Sequence, residues 1–562
     1  MKAMANEHFK LGVPSYVTIE TEEESVVVNA GGREVSKEGT KVEFTEGTGY
    51  EEVSITSVEA VKGVKVRWAY QWPEKVRFLG DAWERGYGDL EWRGMSGRRI
   101  MPWYFLAAVP GEVMCFGVMV QPRAMCYWQA DSEGVTLYLD VRCGGRGVLL
   151  EGRTLHAAKI VCERFTANAA DEAVQGGCRS KNFARKDFTY DAARRFCGRM
   201  CPNPILPKYP VYGSNNWYYA YGKSSEEEIL ADTKELVKLT KGASNPPFMV
   251  IDDCWQEHHR LDEYNGGPWR KGNAKFPDMS RIAQRMKNMG VRTGIWVRFL
   301  LNEDDVIPDE WRLSHNQCVD PSHPDALHYI IEDVERICEW GFQLIKHDFS
   351  TFDLFGKWGF EMNPLVTEDG WHFYDRHRTS AEIVKDFYEA IYNAARPYDT
   401  LILGCNTIGH LGAGLMQLNR TGDDTSGLNW ERTRCMGVNT LAFSLPRHGT
   451  FYHIDADCVG ITGDIPWELN RQWADAVAMS GTPLFISAKP GALNEEEEEE
   501  LRQIMLKASR QERHMVPLDW EDTDCPRVWG DDSETVTYQW YEKSGPMLGS
   551  KTEKYSACLP LA

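Results

Sequence analysis

The chain has 562 residues, 42% of them hydrophobic and 12% aromatic, enough apolar material for several domains or one large barrel with attachments. Its 83 acidic and 63 basic residues give a formal net charge of -20, which leaves no broad basic face for nucleic acid. No run is long and apolar enough for a membrane span, the N-terminus lacks the apolar core of a signal peptide, and fifteen scattered cysteines read as reduced thiols of a cytoplasmic protein.

Residues 1–195 are predicted to form a β-sandwich. Tyr16–Glu20, Ser25–Asn29, Lys41–Thr45, Val64–Trp68 and Val135–Val141 are short, often alternating runs divided by Gly, Asn or charge. No helical period appears before Asp191. Leu79–Trp92 is a Gly- and aromatic-rich loop, of a kind that walls a sugar site or serves simply as a packed connection. The proline-rich stretch Cys201–Pro210 marks a joint, and over residues 196–490 strands and helices alternate. The predicted strands are Pro210–Trp217, Phe248–Trp255, Arg292–Leu300, Gln343–Ser350, Thr400–Thr407, Leu415–Asp423, Thr450–Asp457 and Pro483–Ser487. Helices open near Ser224, Asp278, His323 and Thr379. Eight strands with crossover helices have the count and size of a (β/α)8 TIM barrel. In residues 491–562, Asn494 caps a helix that begins with six glutamates, and a small β-rich ending follows, with Glu534–Tyr541 its best strand. The fold class is thus multidomain β plus α/β.

Leu344–Ser350 is apolar until a sudden Lys346-His347-Asp348, the pattern of a buried strand that ends by presenting charge. Lys346 and Asp348, two apart, share a face, and the carboxyl ends of parallel strands are where such folds build their chemistry. Asp348 is therefore a candidate catalytic carboxylate; a structural ion pair is the alternative. Other strand ends present Asn215-Asn216-Trp217, Asp252-Asp253-Cys254-Trp255, Trp296 with Arg298, Cys405-Asn406, Arg420 with Asp423-Asp424, and Asp455-Ala456-Asp457. Paired carboxylates from separate strands suit glycoside hydrolysis, where one attacks the anomeric carbon and the other gives and then takes a proton. Spare aspartates bind sugar hydroxyls, and flat indoles stack on a pyranose. A metal-dependent rival would bring several histidines to strand ends, but His258, His259, His315, His323 and His372 fall in loops or helices. Cys197 with Cys201, and Cys254 with His258 and His259, lack the second half of a ligand set. No metal or organic cofactor is expected. His347 alternates away from Lys346 and Asp348 and is read as a packing residue.

Seven motifs, in order, resemble those of the α-galactosidases of glycoside hydrolase family 36 and the related family 27, closest to the short bacterial family 36 type. They are Ile251–Trp255, Lys275–Asp278, Gly294–Trp296, Ile345–Phe349, Leu403–Cys405, Arg420–Thr425 and Asp455–Cys458. The resemblance implies Asp348 as nucleophile and Asp424, with Arg420, as acid/base, Asp423 being the neighbouring alternative. It implies that Asp252 and Asp253 hold O4 and O6, that Lys346 reaches adjacent hydroxyls, that Trp296 walls the pocket, and that Cys405 and Arg420 lie near the 2-position. Trp217 and Asp423 complete the expected substrate-binding set. His347 and Cys405-Asn406-Thr407-Ile408-Gly409 depart from the family pattern. The aromatic insertion Thr351–His377 is read as shaping the aglycone side, or else as an oligomer contact or packed loop.

The expectation is a retaining exo-α-galactosidase acting on a small oligosaccharide or galactoside, with no nucleic-acid or membrane partner and with homo-oligomerisation left open. The alternatives are an α-N-acetylgalactosaminidase or other α-glycosidase, an α-galactosyl transferase, and a non-catalytic sugar-binding protein. Asp424 must start protonated, so a less polar or more acid-crowded setting is expected for it, with Asp423 as one source of crowding.

Overall fold

A computed structural model describes residues 5–37, 39–167 and 188–541. From Ala5 to Thr166 the chain folds into two antiparallel sheets, one of eight strands and one of seven. Their inner faces are apolar because alternate residues of each strand point the same way. Phe105 and Phe116 on one sheet meet Trp128 on the other at 5.9 and 6.4 Å between ring centroids. Three indoles then run out of this core in sequence: Trp128 donates to the carbonyl of Trp103, and Trp103 to that of Trp83. This fixes the Leu79–Trp92 loop to the sheets' interior.

The first helix among the described residues, Phe188–Met200, opens three residues before Asp191 and lays Ala192, Phe196 and Met200 against the larger sheet. Gly117 faces it, where a Cβ would sit 2.8 Å from the Met200 sulfur.

Beyond the Cys201–Pro210 joint lies a nine-stranded parallel sheet. Seven strands follow one another in chain order, from Tyr212–Asn215 through Phe248–Ile251, Arg292–Val297, Leu344–His347, Leu401–Gly404 and Leu418–Arg420 to His453–Asp455. Leu484–Ala488 pairs back onto the first of them, and Cys458–Ile461 pairs with Leu484–Ala488. Alternate residues, among them Val250, Leu344, Leu403, Leu418 and Phe485, form a separate apolar cluster. Helices Glu226–Leu239, Met279–Asn288, Pro324–Glu339, Ser380–Ala395 and Trp467–Ser480 lie between the strands in sequence. Three of the four helix starts expected here from sequence carry a side-chain cap. Ser225 accepts from Glu228 N, Asp278 from Arg281 N, and Thr379 forms a capping box with Glu382.

All eight expected strands are present, and all but the last, Leu484–Ala488, are shorter at their carboxyl ends. Pairing stops at Ile251, His347 and Gly404, just before Asp252, Asp348 and Cys405, because the polar residues there turn off the ladder to meet one another. Cys458–Ile461 is a further strand, not among those expected from sequence.

Toward the C-terminus, helix Glu495–Ala508 is capped by Asn494, whose side chain accepts from Glu496 N and Glu497 N. A three-stranded antiparallel sheet follows (Val516–Pro517, Val528–Gly530, Thr535–Thr537), so the strand expected at Glu534–Tyr541 is reduced to three residues. The part of the expected 491–562 unit beyond residue 541 lies outside the described residues, as does 168–187 of the expected 1–195 unit. Among the described residues no helix is long and apolar enough to cross a membrane, and no disulfide forms.

Asn494→Ala removes a cap acceptor for two backbone donors and should lower the stability of this helix by about 1 kcal/mol. A reduced thermal midpoint with unchanged far-UV circular dichroism at low temperature is the expected outcome.

Candidate active site

The carboxyl ends of the parallel strands converge on a group of buried charges. Asp348 is 7% exposed, and both of its oxygens are fixed. Oδ2 accepts from Trp296 Nε1 at 2.8 Å, and Oδ1 accepts from Asn406 Nδ2 at 2.6 Å and from Phe349 N at 2.7 Å. Burial alone would raise its pKa, but Lys346, those hydrogen bonds and Arg85 together hold it below the ordinary carboxylate value.

Lys346 reaches across to Asp252, with Nζ 2.8 Å from Oδ2, and Asn215 Nδ2 donates to the same oxygen. Burial works against the ammonium, yet Asp252, Cys405 and Asp348 outweigh it and keep Lys346 charged. Asp253 has no such partner. Its Oδ1 accepts from Gln256 at 2.8 Å, but burial and the nearby charges of Asp252 and Asp348 push its pKa up to about 8. The adjacent aspartates therefore differ in setting: Asp252 sits in an ion pair with Lys346, whereas the surroundings of Asp253 favour its neutral, donating form.

On the sixth strand, Arg420 Nη2 lies 3.0 Å from both Asp424 Oδ1 and Asp457 Oδ2, and its Nη1 is 3.5 Å from Cys405 Sγ. Asp457 is also bound by Tyr218 OH and by Thr425 N at 2.8 Å. The Asp424 side chain is 32% exposed, where Asp423 shows 6%. Asp423 points elsewhere, its Oδ1 2.6 Å from Arg85 Nη2 and its Oδ2 2.8 Å from Arg432 Nη2.

The expected acid-crowded setting of Asp424 is therefore corrected. Burial would raise its pKa, but Arg420, Arg85, Lys346 and Arg432 pull it down to about 2. Asp423 is turned into ion pairs with Arg85 and Arg432.

Among the residues singled out from sequence, Asp252, Asp253, Trp296, Lys346, Asp348, Cys405, Arg420 and Asp424 come together through these contacts. Trp217 is joined to this group through its backbone. Its ring packs on Tyr221 at 5.5 Å beside the apolar cluster of the sheet, and its backbone N–H donates to Asn215 Oδ1. His347 is buried among Phe299, Phe387 and Tyr388, and burial lowers its pKa to about 4, as its alternation predicted. Of the weak metal candidates, Cys254 is buried and His259 lies 3.9 Å from Asp253. Among the described residues, no three His, Cys, Asp or Glu are grouped so as to hold a metal ion.

The residues missed were mostly supporting ones. Asn215, Asn406 and Asp457 stood at strand ends, and Arg85 lay in the flagged loop. Gln256 carried no signal beyond following the Asp252-Asp253 pair. Backbone strain gathers at the same places, with positive φ at Cys254 (149°), Phe349 (64°), Asn406 (54°) and Asp457 (72°). For a bulky residue such as Phe349 this is a true outlier, of the kind that persists where surrounding structure enforces a functional geometry.

Because the pKa of Asp253 is higher folded than unfolded, its contribution to stability is greatest below about pH 4 and is lost as pH rises toward 8. The slope is at most about 1.4 kcal/mol per pH unit. Asp253→Asn should flatten the decline in thermal midpoint over this window, gaining on the wild type at pH 8 and matching it near pH 4. Parallel curves for the two proteins would refute the assignment.

No family model matches the chain. It is similar to an α-galactosidase of Oryza sativa subsp. japonica, 24% identical over 144 residues that make up 25% of this chain and 30% of that protein. The match thus spans about a third of that relative's length. Among solved structures, TtGalA, an α-galactosidase from Thermus thermophilus in complex with p-nitrophenyl α-D-galactopyranoside, superposes with a TM-score of 0.57 at 16% identity. That match covers 93% of this chain and 99% of the other. The cycloalternan-forming enzyme from Listeria monocytogenes, in complex with a pentasaccharide substrate, gives a TM-score of 0.51 at 13% identity over 94% of this chain and 55% of that one. At these identities the structural likenesses speak for the fold, which enzymes of different sugars share. The chain is thus similar to an α-galactosidase over a quarter of its sequence, and over most of its length it shares the fold of TtGalA.

Proposed function

We propose that the chain is a retaining exo-α-galactosidase, a glycoside hydrolase that cleaves terminal α-galactosyl residues through a covalent glycosyl-enzyme. The parallel sheet is read as a (β/α)8 barrel in which His453–Asp455 and Cys458–Ile461 are two halves of one strand broken at Asp457. The division expected from sequence, at residues 195 and 490, goes with this reading, as does a cytoplasmic location.

The observation that carries the reading is the contrast between two carboxylates. Asp348 is ionised, buried and held at both oxygens by Trp296, Asn406 and Phe349 N, as a nucleophile that must attack in one direction requires. Asp424 is partly exposed and held at one oxygen by Arg420, which leaves the other free to serve a glycosidic oxygen. Asp423, locked between Arg85 and Arg432, has no freedom to move a proton. In the forward step Asp348 bonds to the anomeric carbon while Asp424 protonates the departing oxygen; Asp424 then takes a proton from water as the ester is hydrolysed. Lys346, Asp252 and the neutral Asp253 offer donors and acceptors for the hydroxyls on the far side of the ring. Cys405 and Arg420 would border the 2-position, where the choice between a hydroxyl and an acetamido group is made.

Asp424 has to be protonated to act, yet in the free protein four cations hold it ionised. A sugar in the site would exclude water from the exposed part of Asp424 and raise its pKa. The alkaline limb of kcat/KM, which reports the free protein, should therefore lie at lower pH than that of kcat. Coincident limbs would show that substrate does not retune the acid.

Hydrolysis of a panel of p-nitrophenyl α-glycosides tests the reading as a whole. Turnover of the α-galactoside, abolished in a folded Asp348→Ala, is the expected result. Asp424→Ala should cost about 10²–10⁴-fold on substrates with poor leaving groups and far less on activated aryl ones. Preference for another glycoside would move the specificity while keeping the mechanism. Transfer to an added acceptor sugar would mark a transferase, and silence across the panel would remove the enzymatic reading.

A further inference from the structure

We propose that Arg85, carried into the active site by the loop of the N-terminal antiparallel sheets, is a positioning residue of the reaction that seats the segment bearing Asp424. The inference rests on the acid/base role proposed for Asp424.

The loop makes a two-way backbone pairing with the end of the sixth strand. Gly86 N donates to Thr421 O at 2.8 Å, and Asp423 N donates to Gly86 O at 3.1 Å. On its other side this strand end is packed just as closely, since a Cβ on Gly422 would sit 2.3 Å from the Met436 carbonyl of the helical segment that follows. Arg85 and Arg432 then grip Asp423 from opposite oxygens. Asp424 is the next residue, so its backbone is fixed by these contacts even though its own side chain is bound only to Arg420.

The Arg85 guanidinium is itself held in place. It lies between the rings of Tyr87 and Trp358, at 5.6 and 5.7 Å. Glu84 accepts from Gly359 N at 2.7 Å and from Tyr87 OH at 3.1 Å. The indole series from Trp128 through Trp103 to Trp83 ties the loop to the sheet core. A buried arginine on a flexible loop would lose much of its value to entropy; this one is braced on three sides.

Asp424 is faced by Arg420 from its own strand, Lys346 from the fourth strand, Arg432 from the short helix that follows it and Tyr218 from the turn after the first strand, besides Arg85. Asp457 shares Arg420 with it. Among these, Arg85 alone comes from the N-terminal sheets, and its charge also bears on Asp348. Removing it should raise both carboxyl pKa values, so the acid and alkaline limbs of the pH profile should move upward together.

The test compares wild type, Arg85→Met and Arg85→Lys in kcat, KM and full pH profiles on an aryl α-galactoside, with circular dichroism and thermal melts as a check of folding. Arg85→Met should lower kcat by about 10²-fold, the cost of a misplaced catalytic group, with KM little changed and both limbs displaced to higher pH. Arg85→Lys, which keeps the charge, should restore the wild-type limbs while recovering only part of the rate. If Arg85→Met does not fold, Asp423→Asn takes its place and should lower kcat in the same way. A wild type without turnover would overturn both this inference and the proposed function. An active wild type with an unshifted, undiminished Arg85→Met, or a rate loss with no pH shift and no rescue by lysine, would overturn this inference alone.

Discussion

The mouth of the parallel sheet has to bury more carboxylates than water would allow, and each needs an answer to its charge. An isolated buried ion is prohibitively costly, and removing one partner of a buried pair typically costs about 3–5 kcal/mol. Asp252 is answered by Lys346, Asp424 and Asp457 by Arg420, Asp423 by Arg85 and Arg432, and Asp353 by the two-pronged grip of Arg298. Asp348 has no ion pair at hydrogen-bond distance and is answered instead by three neutral donors and the field of Lys346. Asp253 is answered by protonation. The strand ends, the loop from the N-terminal sheets and the strained turns at Phe349, Asn406 and Asp457 all serve to bring these partners within reach.

This explains what was legible in the sequence. Lys346 and Asp348 were readable because a two-residue period on a buried strand leaves charged side chains nowhere to go but the shared face. The repeated appearance of Asp, Asn or Arg where an apolar run stops gave the strand ends, and through them most of the site. Helix starts at Ser225, Asp278, Thr379 and Asn494 were readable because capping is decided within one turn of chain. Partners supplied from far along the chain were not legible. Arg85 is 338 residues from Asp423, and no local pattern separates a loop arginine that enters a site from one that faces solvent. The setting of Asp424 was misjudged for the same reason: its neighbour in sequence is an acid, but its neighbours in space are guanidiniums. Trp217 shows the converse, a residue at a strand end whose side chain packs on Tyr221 beside the apolar cluster.

The aromatic insertion follows the same logic of distant partners. Phe352 stacks on Trp358 at 4.7 Å, Trp358 leans on Phe349 at 5.7 Å, and Phe360 meets Tyr87 at 5.0 Å. Trp83 donates to Asn363. The two stretches that the sequence left ambiguous, 79–92 and 351–377, thus pack on each other within one chain. They form an aromatic wall from Phe349, next to the proposed nucleophile, out to the half-exposed Phe360, with the Arg85 guanidinium joining Trp358 to Tyr87.

A double-displacement reaction asks one carboxyl to be an acid in its first half and a base in its second, and the electrostatics of this site suit that alternation. In the free protein the cations around Asp424 favour its ionised form, which is the form required when water attacks. For the first half the balance must tip the other way, and the means are local: a sugar ring that displaces water from the exposed side of Asp424 while Asp348 is still anionic beside it. In the proposed reaction, ester formation at Asp348 removes one negative charge from the site, and the cations around Asp424 then favour its ionised form again, with no movement of Arg420, Lys346 or Arg85 required. Rigid, cross-braced cations and a single partly exposed acid are what such a cycle calls for.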